Sequence, residues 1–77
     1  YGVSDVRFSH DGKLLASCSW DGTARVWEVA SGRQLLVLDA DVYRISSVAF
    51  FSDGSLVTAN WDGTVHRWDL PKHLAAK

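Results

Sequence analysis

Apolar residues along this chain come in bursts of six or seven positions, and each burst is closed by a short polar turn. The first four run from Val3 to Phe8, Lys13 to Ser19, Thr23 to Val29 and Arg33 to Leu38, and all are rich in Val, Leu, Phe and Trp. Each has about the length of a typical strand, and these residue types suit a pleated, half-buried surface. Gly12, Gly22 and Gly32 stand between them, ten residues apart, and two of them complete the pairs Asp11-Gly12 and Asp21-Gly22. An Asp-Gly pair between apolar segments is a strong hairpin signal. Connections this short leave no room for crossover helices, so consecutive strands are predicted to pair antiparallel as a meander. Three further strands are predicted over Arg44 to Phe50, Ser55 to Asn60 and Val65 to Leu70.

The second set of strands copies the first. "SWDGTARVW" at residues 19–27 returns as "NWDGTVHRW" at residues 60–68, so that Trp20, Asp21, Gly22, Thr23 and Trp27 align with Trp61, Asp62, Gly63, Thr64 and Trp68 at an offset of 41. Earlier in the unit the offset is 42 and pairs Tyr1 with Tyr43, Val3 with Ile45, Val6 with Val48, Phe8 with Phe50 and Gly12 with Gly54. The lost residue falls where "KLLASCS" becomes "SLVTAN", inside a strand or its turn. A period of about 40 residues points to solenoids, propellers or arrays. Residues 1–41 are read as the first unit and 42–77 as the second. The second unit lacks a convincing fourth strand: after Leu70 the chain reads "PKHLAAK", which is read as the start of a strand or a frayed end.

"KLLASCS" and "RQLLVL" are apolar on consecutive positions, so both faces of the sheet are expected to be covered. One four-stranded sheet cannot cover itself. Radial stacking of such sheets does so, and that is the β-propeller. The fold class is therefore all-β: two four-stranded antiparallel blades of a β-propeller, the second incomplete. Both "VSDVRFSHDGKLLASCSWDGTARVWEV" and "ISSVAFFSDGSLVTANWDGTVHRWDL" resemble the repeat of the WD-repeat β-propellers, from its innermost strand to its Trp-Asp ending, here Trp27-Glu28 and Trp68-Asp69. The resemblance covers essentially the whole chain.

The resemblance implies different roles for the two tryptophans of each nine-residue stretch. Trp27 and Trp68 lie in the third strand of a blade, where the family's Trp donates its indole N–H to a hydroxyl on the second strand, here Ser17 or Thr58. A buried indole needs such an acceptor. Trp27 is accordingly expected in the core. The family continues this chain of bonds through a His to the turn Asp, here Asp21 or Asp62. The present sequence departs from that pattern, because the His position falls near Asp41, with Ala40 where the family has Gly; two carboxylates, Asp41 and Asp62, are expected to repel there. Trp20 and Trp61 directly precede the turn Asp. The resemblance puts them on the top face of the propeller, where partner proteins and peptides dock, and puts Tyr1, Tyr43 and Arg44 on the same side. The alternative for each Trp is packing over its own turn or against the next blade.

Composition narrows the function further. With 47% apolar and 22% charged residues the chain has the make-up of a globular protein. Eight basic and nine acidic residues give a formal net charge of −1, and the five arginines are spread over several strands, so no basic groove for nucleic acid is expected. No apolar run approaches the roughly 18 residues of a membrane span and no leader stands at the N-terminus, so a membrane partner is not expected either. Cys18 is the one cysteine and lies within an apolar strand, which reads as a small core residue in an intracellular protein, cytoplasmic with the nucleus left open. Ser9, His10 and Asp11 carry the letters of a catalytic triad, but neighbours in one turn do not assemble into nucleophile, base and orienter. His66 and His73 have no partners at metal-ligand spacing, and the glycines are accounted for by turns, so no metal, cofactor or catalytic residue is assigned.

What remains is a non-catalytic interaction scaffold that holds a protein or peptide. Two isolated blades would leave two apolar outer faces in water. Those faces are expected to be covered by further blades of a longer chain or, as the alternative, by other copies of this one, closing a ring as a homo-oligomer.

Overall fold

The computed structural model of the chain describes residues 2–39 and 44–75. Seven strands form two sheets. β1 (Val3–Phe8), β2 (Leu14–Ser19), β3 (Thr23–Glu28) and β4 (Gln34–Asp39) pair in chain order into a four-stranded antiparallel sheet. β5 (Ile45–Phe50), β6 (Leu56–Asn60) and β7 (Val65–Trp68) pair likewise into a three-stranded one. The all-β blade architecture expected from the repeat is present, with three strands in the second blade. The end of that blade differs from expectation: β7 stops at Trp68, and Leu70–Ala75 form a short helix, α1, in place of further strand. Leu70 is buried, so its apolar side chain is satisfied by packing and not by sheet pairing.

The turns are longer than the two-residue hairpin that Asp-Gly suggests. Gly12, Gly22, Gly54 and Gly63 each donate an N–H to the carbonyl three residues earlier, those of Ser9, Ser19, Phe51 and Asn60. Asp-Gly thus fills the last two positions of a four-residue turn, with the glycine at positive φ, as at Gly22 (86°) and Gly63 (89°). A residue with a Cβ is strained in that conformation, and at Gly22, Gly54 and Gly63 the geometry is the usual three-residue hairpin solution, a tight turn closed by a left-handed glycine, while the Gly12 turn has one residue more.

Strand register decides what each blade presents. Alternation puts Ala16, Cys18, Ala24, Val26 and Leu38 on one face of the first blade, and all five are buried. They meet Ile45, Val48, Leu56 and Thr58 of the second blade, also buried, with β5 laid across β1 and β2. Burial pushes the Cys18 thiol up to about 11, which keeps it protonated as a small core residue. Side-chain hydrogen bonds from Asp5 and His10 help tie the seam. The Asp5 carboxylate accepts the Val48 N–H at 3.2 Å, and His10 Nε2 donates to the Phe50 carbonyl at 3.2 Å.

The opposite face of the first blade carries Val6, Phe8, Ser17, Trp27 and Val37, and here Val6, Phe8 and Val37 are exposed. The second blade's far side leaves Val65 63% exposed. Each blade is therefore covered on one face. Leu56→Ala is expected to cost about 2 to 5 kcal/mol, because the seam residues around it cannot collapse into the void, while Phe51→Ala at the exposed turn should change stability by less than about 0.5 kcal/mol. Equilibrium urea denaturation of the two variants checks both values.

Candidate interaction site

Trp20 and Trp61 occupy the same corner of equivalent hairpins. Each leaves its strand one residue after the turn begins, so its ring stands at the tip and not in the sheet. The Trp20 N–H donates to the Gly2 carbonyl at 3.3 Å, and the Trp61 N–H donates to the Arg44 carbonyl at 3.0 Å. These bonds tie each tip to the entry of its own blade's first strand. Gly2 and Arg44 thus hold the same place in the two repeats, yet one has no side chain and the other has the longest cation available.

That asymmetry builds the site. The Arg44 guanidinium carbon lies over the Trp20 ring of the first blade, 4.1 Å from its centroid, and over the Trp61 ring of its own blade at 5.1 Å. Both distances fall within cation–π range. Trp20 is 46% exposed and Trp61 55%, so the rings pack on the guanidinium and still face solvent. With Gly2, Val3, Ser4 and Ser46 these three side chains line a cleft of about 550 Å³ across the two blades. The Ser4 hydroxyl is buried there without a hydrogen-bond partner among the described residues. Tyr1, Tyr43 and Asp41 lie outside the described residues, as does the side chain of His73.

The supporting residues are placed by the sheets. Trp27 donates its indole N–H to Ser17 Oγ at 3.2 Å, and Trp68 donates to Thr58 Oγ1 at the same distance. The two pairs differ in setting. Thr58 is sealed in the seam, whereas Ser17 and Trp27 are half-buried on the open face of the first blade. Trp27 is therefore outside the core of these two blades, contrary to expectation, because it lies on the face of the first blade turned away from the seam. Asp21 turns back on its own loop: its Oδ1 accepts the Thr23 hydroxyl at 2.6 Å and the Thr23 N–H at 2.9 Å. Asp62 does the same with Thr64, at 2.6 and 3.0 Å. The Thr hydroxyl, followed by the backbone N–H, holds each carboxyl below the usual carboxylate value.

The triad letters do not assemble. Ser9 Oγ donates to Asp11 Oδ1 at 2.7 Å, while the His10 ring reaches across the seam to Phe50. Reading the sequence missed Asp5 and, for His10, its contact across the seam. Asp5 sits at a break in the β1–β2 register, where the repeat carries Ser47 in the second copy, and that unmatched charge inside a strand was the available signal.

Two stacked blades of this register, with the indole-to-hydroxyl pair inside each, define a β-propeller repeat protein. The sequence profile described as "WD domain, G-beta repeat" matches residues 1–28 and 32–69. The chain belongs to this family. It is 41% identical over 63 residues to the guanine nucleotide-exchange factor SEC12 of Rattus norvegicus, a match covering 82% of this chain and 15% of that protein. It is 40% identical over 67 residues to the guanine nucleotide-binding protein subunit beta of Schizosaccharomyces pombe, covering 86% of this chain and 22% of that one. Periodic tryptophan protein 2 of Arabidopsis thaliana is 32% identical over 74 residues, 95% of this chain and 8% of its own length. The chain thus spans less than a quarter of each of these relatives.

The turn carboxylates predict an acid response. Asp53 is held down to about 2, first by the Ser55 hydroxyl, then by the Ser55 N–H and Arg67, and Asp5, Asp11, Asp21 and Asp62 are lowered too. A carboxyl whose folded value lies below its unfolded one contributes stability above the unfolded value and loses it as pH falls. For Asp53 that window runs from 3.8 down to about 2. The thermal midpoint is expected to stay level from about pH 7 to about pH 5 and to fall through this window. Asp53→Asn should flatten part of the fall, as read by thermal melts across the pH series.

Proposed function

We propose that these two repeats are part of a larger β-propeller that serves as a non-catalytic, intracellular scaffold, cytoplasmic in the first instance, and that it holds a protein or peptide partner on the top rim. One observation carries the reading: two half-exposed indoles from successive blades share one guanidinium at the mouth of a cleft. Trp, Tyr and Arg supply most of the energy in protein interfaces, and here they are held on turns fixed by a rigid sheet. From their matching positions in the repeat, Tyr1 and Tyr43 are proposed as further contributors to the same partner surface. A relative named as a subunit of a guanine nucleotide-binding protein favours a role in assembly with other proteins.

The blades' open faces favour the larger ring. The exposed face of the first blade carries Val6, Phe8, Ser17 and Trp27, and the repeat matches these with Val48, Phe50, Thr58 and Trp68, the residues that dock the second blade onto the first. Further blades of the same chain are the proposed cover. Copies of this unit would present the same chemistry, and a head-to-tail contact closes into a ring when the rotation allows. Light scattering after size exclusion separates the two: a discrete folded dimer, trimer or tetramer of the 77 residues supports ring closure by copies, and a heterogeneous or unfolded monomer supports the larger propeller. In the full-length protein, changing Trp20 and Trp61 together to Ala is expected to leave the circular dichroism spectrum intact and to weaken partner binding by more than about 2 kcal/mol. Loss of the fold would show instead that the two rings serve packing.

A further inference from the structure

We propose that Asp21-Gly22 and Asp62-Gly63, the pairs that directly follow Trp20 and Trp61, are latent isoaspartate sites, kept unreactive by the Thr23 and Thr64 hydroxyls. An Asp-Gly pair is chemically fragile. The glycine nitrogen, once deprotonated, attacks the side-chain carboxyl carbon of the aspartate; a C–N bond forms, the carboxyl C–OH bond breaks, and water departs, leaving a five-membered succinimide. Water then adds back at either ring carbonyl. Opening at the main-chain carbonyl yields isoaspartate, whose backbone runs through the side chain and is one methylene longer. No oxidant or reductant takes part. Glycine favours this attack because no Cβ shields its nitrogen, and neither glycine can be exchanged without strain, since φ is 86° at Gly22 and 89° at Gly63.

The turns restrain both reacting groups. The Gly63 N–H donates to the Asn60 carbonyl at 3.0 Å and the Gly22 N–H to the Ser19 carbonyl at 3.2 Å, so the proton that must leave is engaged. Asp62 Oδ1 accepts the Thr64 hydroxyl at 2.6 Å and its N–H at 3.0 Å, and Asp21 Oδ1 accepts the same two groups of Thr23 at 2.6 and 2.9 Å. Two donors on one oxygen pin the carboxyl toward the residue beyond the glycine, and they favour the carboxylate, which has no hydroxyl to lose. The Thr64 hydroxyl is itself oriented. Buried Asn60 donates its Nδ2 to Thr64 Oγ1 at 2.9 Å, which leaves the hydroxyl hydrogen to Asp62. The chain's other two Asp-Gly pairs are built alike, with the Ser55 hydroxyl on Asp53 Oδ1 at 2.6 Å and the Ser9 hydroxyl on Asp11 Oδ1 at 2.7 Å. In all four turns a backbone N–H two residues on already holds that oxygen, so the recurring hydroxyl is additional to what the turn needs. A three-residue hairpin has no slack for an extra methylene, so isomerisation at Asp62 displaces Trp61 beside it.

The test ages the full-length protein at neutral pH and body temperature for several weeks, with its tryptic peptides aged in parallel. Digestion and liquid chromatography with electron-transfer fragmentation then locate isoaspartate at each pair. Isoaspartate at Asp21 and Asp62 is expected to form at least about tenfold more slowly in the folded protein than in the peptides. Thr64→Val, which keeps the side-chain shape and the backbone N–H, should speed formation at Asp62 by about threefold or more and leave Asp21 at its original rate in the same molecule. Thr23→Val should do the converse, and Thr64→Ser, which retains the hydroxyl, should leave Asp62 slow. Equal rates in protein and peptide overturn the proposal, as does a Thr64→Val variant whose Asp62 ages no faster, or a Thr64→Ser variant that ages like the Val one. Acceleration at all four pairs together in either Val variant would reveal a loosened fold in place of a local shield, and overturns it too.

Discussion

Neither sheet of this chain can cover its own apolar faces, and everything else follows from how one sheet covers the other. The first blade offers small residues at the seam, Ala16, Cys18 and Ala24, and the second offers larger ones, Ile45, Val48 and Leu56. Small against large lets β5 lie close across β1 and β2, the interdigitation that native packing density requires. Asp5 and His10 then fix the blades along their length, since each satisfies a backbone group of β5 that the sheet itself does not. The position of Arg44 is a result of this seam. It reaches Trp20 of the neighbouring blade only because the chain entering β5 is held beside the tip of β2–β3.

Much of this was legible in the sequence, and what was not has physical reasons. The strands declared themselves through apolar bursts and the turns through glycine, since only glycine tolerates the positive φ that five of these turns adopt. The repeat then fixed the equivalence of Trp27 with Trp68 and of Trp20 with Trp61. Strand ends were less legible. Lys13, Val29, Arg33 and Leu70 were read into strands that stop one or two residues short of them, because periodicity says where apolar residues cluster and not where the last hydrogen bond falls. The tail differs for a related reason: after Leu70 it reads as the start of a strand or a frayed end, although a proline is well suited to the first turn of a helix and Pro71 stands one residue after the start of α1.

The candidate site was legible as a set of residues but not as an arrangement. Trp20, Trp61 and Arg44 could each be assigned to the same rim, yet nothing in a linear string says that one guanidinium touches two rings 41 residues apart. Nor could the sequence separate the settings of Trp27 and Trp68, which look alike in the repeat. Their difference arises from which neighbour is present, a property of the stack and not of the strand. Asp5 and His10 escaped for the opposite reason, since they work between repeats and have no counterpart in the second copy.

The seam joins unlike faces, and that gives the stack a direction. A contact between two identical faces would close on itself as a pair and stop. Here every added blade exposes a fresh copy of the face just covered, so duplicating the 41-residue stretch of gene adds a blade whose docking surface already exists. Growth by duplication needs no newly invented interface. In a ring grown this way, only the angle between successive blades would set the number at which the last one meets the first.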